Sequence, residues 1–241
     1  VNSFMTRLGS QFRSLTSSVH FYQDFAPVYD QLSVKYGWNS PDVMFGLMIG
    51  RLNLVPKALA EAQVKMLDVG IGTGLSSAPF ANFGMNIYGV DGSANMIELC
   101  RRKGFAERLD VVELSTCKLP YETNYFDAAI CNGVLYFFDD LGHIFSEVSR
   151  VLKPGALFGF NFEPTFVGDQ ESYENDANSV LKENDVAKST MVTYRHNPLY
   201  MASLMRKFSM TMVQELSYLA YHSPTTGEDV FFSLYVVKVG G

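Results

Sequence analysis

Cysteine is scarce. Three occur in 241 residues, Cys100, Cys117 and Cys131, and no two form a C-x-x-C pair. Neither a disulfide framework nor a zinc site is expected, and no metal is assigned. A reduced, cytoplasmic setting fits this usage. Long apolar runs are missing too: nothing reaches the roughly 18 consecutive apolar residues of a membrane-crossing helix, so no membrane partner is expected. Positive charge is outnumbered, with 19 Lys and Arg against 25 Asp and Glu and a net charge of −6. A general nucleic-acid binder needs clustered Lys and Arg against phosphate, so that class is set aside. Tryptophan occurs once, as Trp38, and internal repeats are lacking. The length suits one large α/β domain with a cap and is short for two full domains.

What is present centres on Met66-Leu-Asp-Val-Gly-Ile-Gly-Thr-Gly74. An apolar lead-in from Val64 to Leu67 reads as a buried strand. Gly70, Gly72 and Gly74 follow at every second position, and a helix starts near Leu75. Glycines permit a sharp turn and close approach to a ligand, while the helix N-terminus offers unpaired N–H groups. A dinucleotide-binding G-x-G-x-x-G would need glycine at 75 or 77, where Leu75 and Ser77 stand. The next strand, Asn86 to Val90, ends in Asp91. This acid lies about twenty residues past the first glycine, where a ribose-binding acid belongs in a doubly wound fold.

Asp68-Val-Gly-Ile-Gly-Thr-Gly74 followed by Val90-Asp-Gly-Ser-Ala-Asn-Met96 resembles the class I S-adenosylmethionine-dependent methyltransferases, small-molecule type. Leu119-Pro120 with Phe126-Asp-Ala-Ala-Ile-Cys-Asn132 resembles that family's fourth-strand segment. Ser149-Arg-Val-Leu-Lys-Pro-Gly155 resembles its approach to strand five. Phe21 to Asp30 resembles the lead segment that often covers the cofactor. The resemblance runs from about residue 64 to 163, with a weaker tail.

It implies a doubly wound, Rossmann-like α/β fold: a seven-stranded sheet, mostly parallel with an antiparallel last strand, helices on both faces, and an N-terminal helical lid. It also implies S-adenosyl-L-methionine as cofactor and S-adenosyl-L-homocysteine as product. Asp68, Gly70, Gly72, Gly74, Asp91, Met96, Asn132 and Gly133 become cofactor-binding candidates. The family's adenine-contacting acid falls on Ser115, with Thr116 beside it, so a hydroxyl would face the adenine there. Tyr22, Tyr29 and Tyr36 are lid candidates.

Two units are expected: a helical cap over residues 1–60, and a core over 61–241 with a cap insertion at about 164–207. Residues 1–18 carry apolar side chains at helical spacing and read either as a targeting segment or as a docked helix. Ser40-Pro41-Asp42 starts a helix, with a capping hydroxyl and proline at the first helical position. Strand three is expected at Leu109–Leu114, strand four at Tyr125–Cys131 and strand five at Gly155–Phe162. The acidic stretch from Thr165 to Lys188 reads as solvated helix and loops, or as a lid. Ser209–Tyr221 and Val230–Val239 read as two terminal strands.

Displacement at an activated sulfonium is helped mainly by alignment, which can supply roughly 7–11 kcal/mol, against roughly 3–5 kcal/mol for a general base. Catalytic candidates are Tyr136, Glu163 and His196, at strand ends or in the cap. The expected function is methyl transfer to a small, partly apolar acceptor at an O, N or C atom. A repurposed fold catalysing a cyclisation or other non-methyl reaction, or a non-catalytic binding partner, is the alternative.

Overall fold

The computed structural model describes residues 26–52, 63–165, 179–186, 189–223 and 227–240. Tyr22, His20 and the 1–18 segment lie outside them. Nine strands are described: β1 Lys65–Val69, β2 Asn86–Asp91, β3 Ala106–Val111, β4 Phe126–Cys131, β5 Leu152–Phe162, β6 Ser179–Val186, β7 Ser189–His196, β8 Met210–His222 and β9 Asp229–Val239. Seven form one sheet in the order β3-β2-β1-β4-β5-β9-β8. β3, β2, β1, β4 and β5 pair in parallel, and β9 runs antiparallel to both β5 and β8. The last strand in sequence therefore lies inside the sheet, with β8 at the edge. Side-chain pattern explains this. β9 is apolar almost throughout and is buried on both faces, whereas β8 alternates and leaves one face to water.

The helices are α1 Tyr29–Lys35, α2 Ser40–Leu52, α3 Ala78–Asn82, α4 Ala94–Lys103, α5 Gly142–Val151 and α6 Pro198–Lys207. Phe145 and Val148 of α5, with Met201 and Leu204 of α6, pack on Phe158 and Phe160 over one face of the sheet. Met44 and Met48 of α2, Phe80 of α3 and Ile97 of α4 cover the other, against Met66, Ile87 and Ile130. Among the described residues no helix is long and apolar enough to cross a membrane.

Three local expectations change. β3 begins at Ala106, not Leu109: Gly104 ends α4 in the left-handed region, and the chain enters the sheet two residues later, opposite Ile87. Val112 and Leu114 then turn off the sheet, with the Val112 N–H donating to the Asp91 carbonyl at 2.9 Å. The Ser40 hydroxyl does not cap α2. It is fully buried and bonds instead to Tyr218 of β8 and Asn161 of β5. Finally, the described part of the acidic stretch is no helix. β6 and β7 form an antiparallel ribbon registered from Ser179↔His196 to Val186↔Ser189. The Thr-, Val- and Tyr-bearing run Ser189–His196 has the composition for it.

Candidate active site

Sheet order reverses between β1 and β4, and a cleft opens there at the carboxyl ends of the strands, as open α/β sheets dictate. Its empty space, counted to the open mouth, is about 790 Å³.

The floor is the turn after β1. Gly70 and Ile71 N–H groups both donate to the Val90 carbonyl, at 2.8 and 3.0 Å, which ties the turn to the end of β2. Gly70 has φ +78°, and a Cβ there would stand 2.2 Å from Val134 Cγ2. Gly72, at φ +54°, has nothing within 4 Å of a Cβ position, so its missing side chain leaves open cleft. Gly74 lies outside the lining; a Cβ there would meet Phe105 and Cys100 of the packing beneath.

Asp91 closes β2 at the rim. One carboxylate oxygen accepts the Gly72 N–H and the other the Ser93 N–H, each at 2.8 Å. Burial raises its pKa, and those two backbone bonds partly oppose the rise. Ser93 then caps α4 by accepting the Met96 N–H, setting Met96 into the cleft wall.

Asp68 is a different acid. It is 1% exposed, lies beneath the turn rather than in the lining, and accepts the Ser77 hydroxyl. Burial pushes its pKa up to about 7 despite that hydrogen bond.

At the far wall, Asn132 and Gly133 follow β4. Asn132 Nδ2 donates to Ser76 Oγ at 2.8 Å, while its Oδ1 is buried with no partner. A buried unpaired acceptor is costly and calls for a donor. Tyr29, Trp38, Phe137 and Phe138, with Leu75 and Val134, also line the cleft, the Trp38 ring close to Gly133. Burial pushes the Tyr29 phenol up to about 12. Asp91 and Glu113 are the carboxylates of the lining, which among the described residues contains no Lys, Arg or His. The cleft therefore presents negative potential suited to a cationic ligand.

Several candidates stand elsewhere. Ser115 and Thr116 are exposed outside the lining, which has Glu113 and Leu114 at that point; Ser115 Oγ donates to Glu113 Oε1 at 2.9 Å. The cleft edge after β3 thus falls two residues before Ser115 in the chain. Tyr36 is half-buried beside the Lys35 ammonium and does not reach the cleft.

Tyr136, Glu163 and His196 also lie outside the lining. Tyr136 packs on Phe137 and Phe232. Glu163 is buried and paired with Arg195 at 2.8 Å. His196, fully buried, lies behind the Leu135–Phe137 turn with Nε2 3.1 Å from the Leu135 carbonyl. That contact makes Nε2 the protonated nitrogen, and burial lowers the imidazole pKa.

Some contributing residues were not legible as site residues. Asp30, in the lead segment, accepts from Thr73 of the glycine turn and from Lys103 of α4 at 2.7 Å, clipping the cap to the floor. Both partners of the ion pair are partly exposed, so it is worth at most about 1 kcal/mol. Asn161 is fully buried within an apolar strand; a lone amide between Phe160 and Phe162 was the available signal.

Residues 67–160 match the family model for a methyltransferase domain. Over 144 residues the chain is 31% identical to methyltransferase-like protein 27 of Homo sapiens, spanning 59% of this chain and 56% of that protein. It is also 31% identical over 110 residues to sterol 4-C-methyltransferase strm-1 of Caenorhabditis elegans, spanning 44% and 33%. The chain thus covers about a third to just over half of these relatives' length. The fold matches that of 1,6-didemethyltoxoflavin-N1-methyltransferase of Burkholderia thailandensis, solved with its substrate and S-adenosylhomocysteine. There the TM-score is 0.63 at 16% identity, over 92% of this chain and 88% of that one. The matched segment holds the glycine turn and the acid ending β2, and the strand order around it is that of a Rossmann-like methyltransferase fold.

Proposed function

We propose that this chain methylates a small, largely apolar acceptor, holding S-adenosylmethionine in the cleft between β1 and β4. When bound, the cofactor supplies an activated methyl group on a cationic sulfur. The carrying observation is Asp91: both its oxygens are fixed by backbone N–H groups at the rim, beside the open space over Gly72. A carboxylate so held has lone pairs left to accept from two ribose hydroxyls. Asn132 Oδ1, buried and unpaired, fits an ammonium donor. Glu113 fits the adenine amino group, the role the sequence had left to Ser115 or Thr116.

At the acceptor end, Tyr29, Trp38, Phe137 and Phe138 form an aromatic wall, which favours a flat apolar molecule over a charged one. The relatives named for a sterol and for a toxoflavin precursor agree with that class. Positioning and water exclusion by this wall carry the rate, and Tyr136, Glu163 and His196 act structurally rather than as bases.

Calorimetric titration with S-adenosylmethionine and S-adenosylhomocysteine is the test. Wild-type protein is expected to bind both, and Asp91→Ala to weaken them roughly 10- to 100-fold, the worth of hydrogen bonds to a charged group. Folded wild-type protein that binds neither sinks the proposal. Binding with no label transfer from methyl-labelled cofactor to sterol, quinone and heteroaromatic acceptors would favour a non-methyl reaction.

A further inference from the structure

A second polar group is sealed inside the core behind the cleft. Asn161 is fully buried on β5, and its Oδ1 accepts the Gly133 N–H at 2.7 Å. Its Nδ2 donates to Tyr218 Oη at 2.9 Å and to Ser40 Oγ at 3.3 Å, and those two hydroxyls bond to each other. The amide orientation follows from the network, since a flipped amide would set NH₂ against the Gly133 N–H. Four elements meet here: the loop after β4, β5 itself, the start of α2, and β8.

The consequence lies on the other side of one peptide. A peptide is planar and trans, so the Gly133 N–H and the Asn132 carbonyl point in opposite directions. With the N–H drawn inward to Asn161, the Asn132 carbonyl is turned outward, toward the cleft that Asn132 and Gly133 line. It joins Asn132 Oδ1, the unpaired acceptor at the same residue. Two acceptors from one residue form a receptor for a primary ammonium, and Asn132 Nδ2, which donates to Ser76 Oγ, holds the side chain beside it. The same network seats Trp38, two residues before Ser40, whose ring edge would lie 3.0 Å from a Cβ at Gly133.

We propose that Asn161 is a positioning residue for the amino-acid end of the cofactor. It holds the 132–133 peptide so that the Asn132 carbonyl accepts from the α-ammonium, and Ser40 and Tyr218 lock its amide in that orientation. The inference rests on the cofactor reading above and adds a residue that touches no ligand itself.

The test compares two ligands that share the adenosine and differ at the amino-acid end: S-adenosylhomocysteine, which carries the ammonium, and 5′-methylthioadenosine, which does not. Asn161→Leu keeps the volume and removes the acceptor. It is expected to weaken S-adenosylhomocysteine about 10- to 100-fold while 5′-methylthioadenosine stays within about twofold. A purely structural role for Asn161 would weaken both equally or neither, and either result overturns the proposal. So does a wild-type protein that binds the two ligands equally. If Asn161→Leu fails to fold, the double variant Ser40→Ala/Tyr218→Phe frees the amide and keeps its acceptor. A selective loss of about 3- to 10-fold for S-adenosylhomocysteine supports the assignment, and an even loss or none overturns it. Wild-type protein that binds neither ligand removes the cofactor reading instead, so the two failures are distinct.

Discussion

Asp68→Asn makes the sharpest demand on this description, because it predicts a stability that depends on pH in one direction only. Asp68 is 1% exposed, and its carboxyl is held up at about 7 by burial, from an ordinary 3.8. Folding therefore opposes its ionisation, and the displacement corresponds to roughly 4 kcal/mol. The sign follows from proton counting. Between the two values the folded protein keeps a proton that the unfolded chain has lost, so stability falls as pH rises through that window. At pH 5 the penalty is about 1.5 kcal/mol, and above pH 7 it is complete. An amide in place of the carboxyl still accepts the Ser77 hydroxyl but cannot ionise. Any change in that hydrogen bond adds an offset that pH does not alter. The ligand-free variant is thus expected to gain on wild type by about 2–3 kcal/mol between pH 5 and 8, or roughly 5–10 °C in Tm for a chain this size. Thermal unfolding by circular dichroism at pH 5, 6, 7 and 8 measures the gap. A gap that stays constant, or narrows as pH rises, refutes the account of Asp68 as a buried, reluctant acid.

Two further outcomes separate parts of the site. Gly70→Ala would drive a Cβ to 2.2 Å from Val134 at φ +78°, costing about 2–4 kcal/mol in urea unfolding; Gly72→Ala, in open space at φ +54°, is expected to cost about 1 kcal/mol yet to weaken S-adenosylhomocysteine the more for its small effect on stability. His196 is held neutral by burial, its pKa lowered. Wild type should therefore lose stability as pH falls below the ordinary 6.5, toward the depressed folded value, and His196→Gln should not. Urea midpoints at pH 7.5 and 5 check this, and an unchanged difference between the two proteins would count against a buried neutral imidazole.

What could be seen in the sequence was what lies close together along it. The glycine run, Asp91 and the Asn132-Gly133 pair sit at or within a few residues of strand ends, so a strand-turn-helix pattern suffices to place them at one edge of a sheet. The seven-stranded sheet and its reversed last strand came from the family resemblance, while the residues themselves marked the two terminal strands at Ser209–Tyr221 and Val230–Val239.

β3 starts three residues before its apolar pattern, and the cleft edge after it falls at Glu113 and Leu114, whereas the family pattern ahead of Leu119-Pro120 pointed to Ser115. Gly104 fixes where the chain re-enters the sheet, and the hydrophobic run at 109–114 outlasts the strand. His196 stands near the cap in sequence, but pairing with Glu163 carries it behind the Leu135–Phe137 turn, and no periodicity encodes that. Asn161 is the deeper case. Its partners lie 28, 57 and 121 residues away, so only a finished fold can show why an amide occupies an apolar strand. Leaving such a group in the core is costly unless every bond is made, and here the bonds reach the 132–133 peptide in the cleft wall. The same fold that hides Asn161 from the sequence thus ties Trp38 to the loop at Gly133, two surfaces that the proposed methyl transfer would need in fixed register.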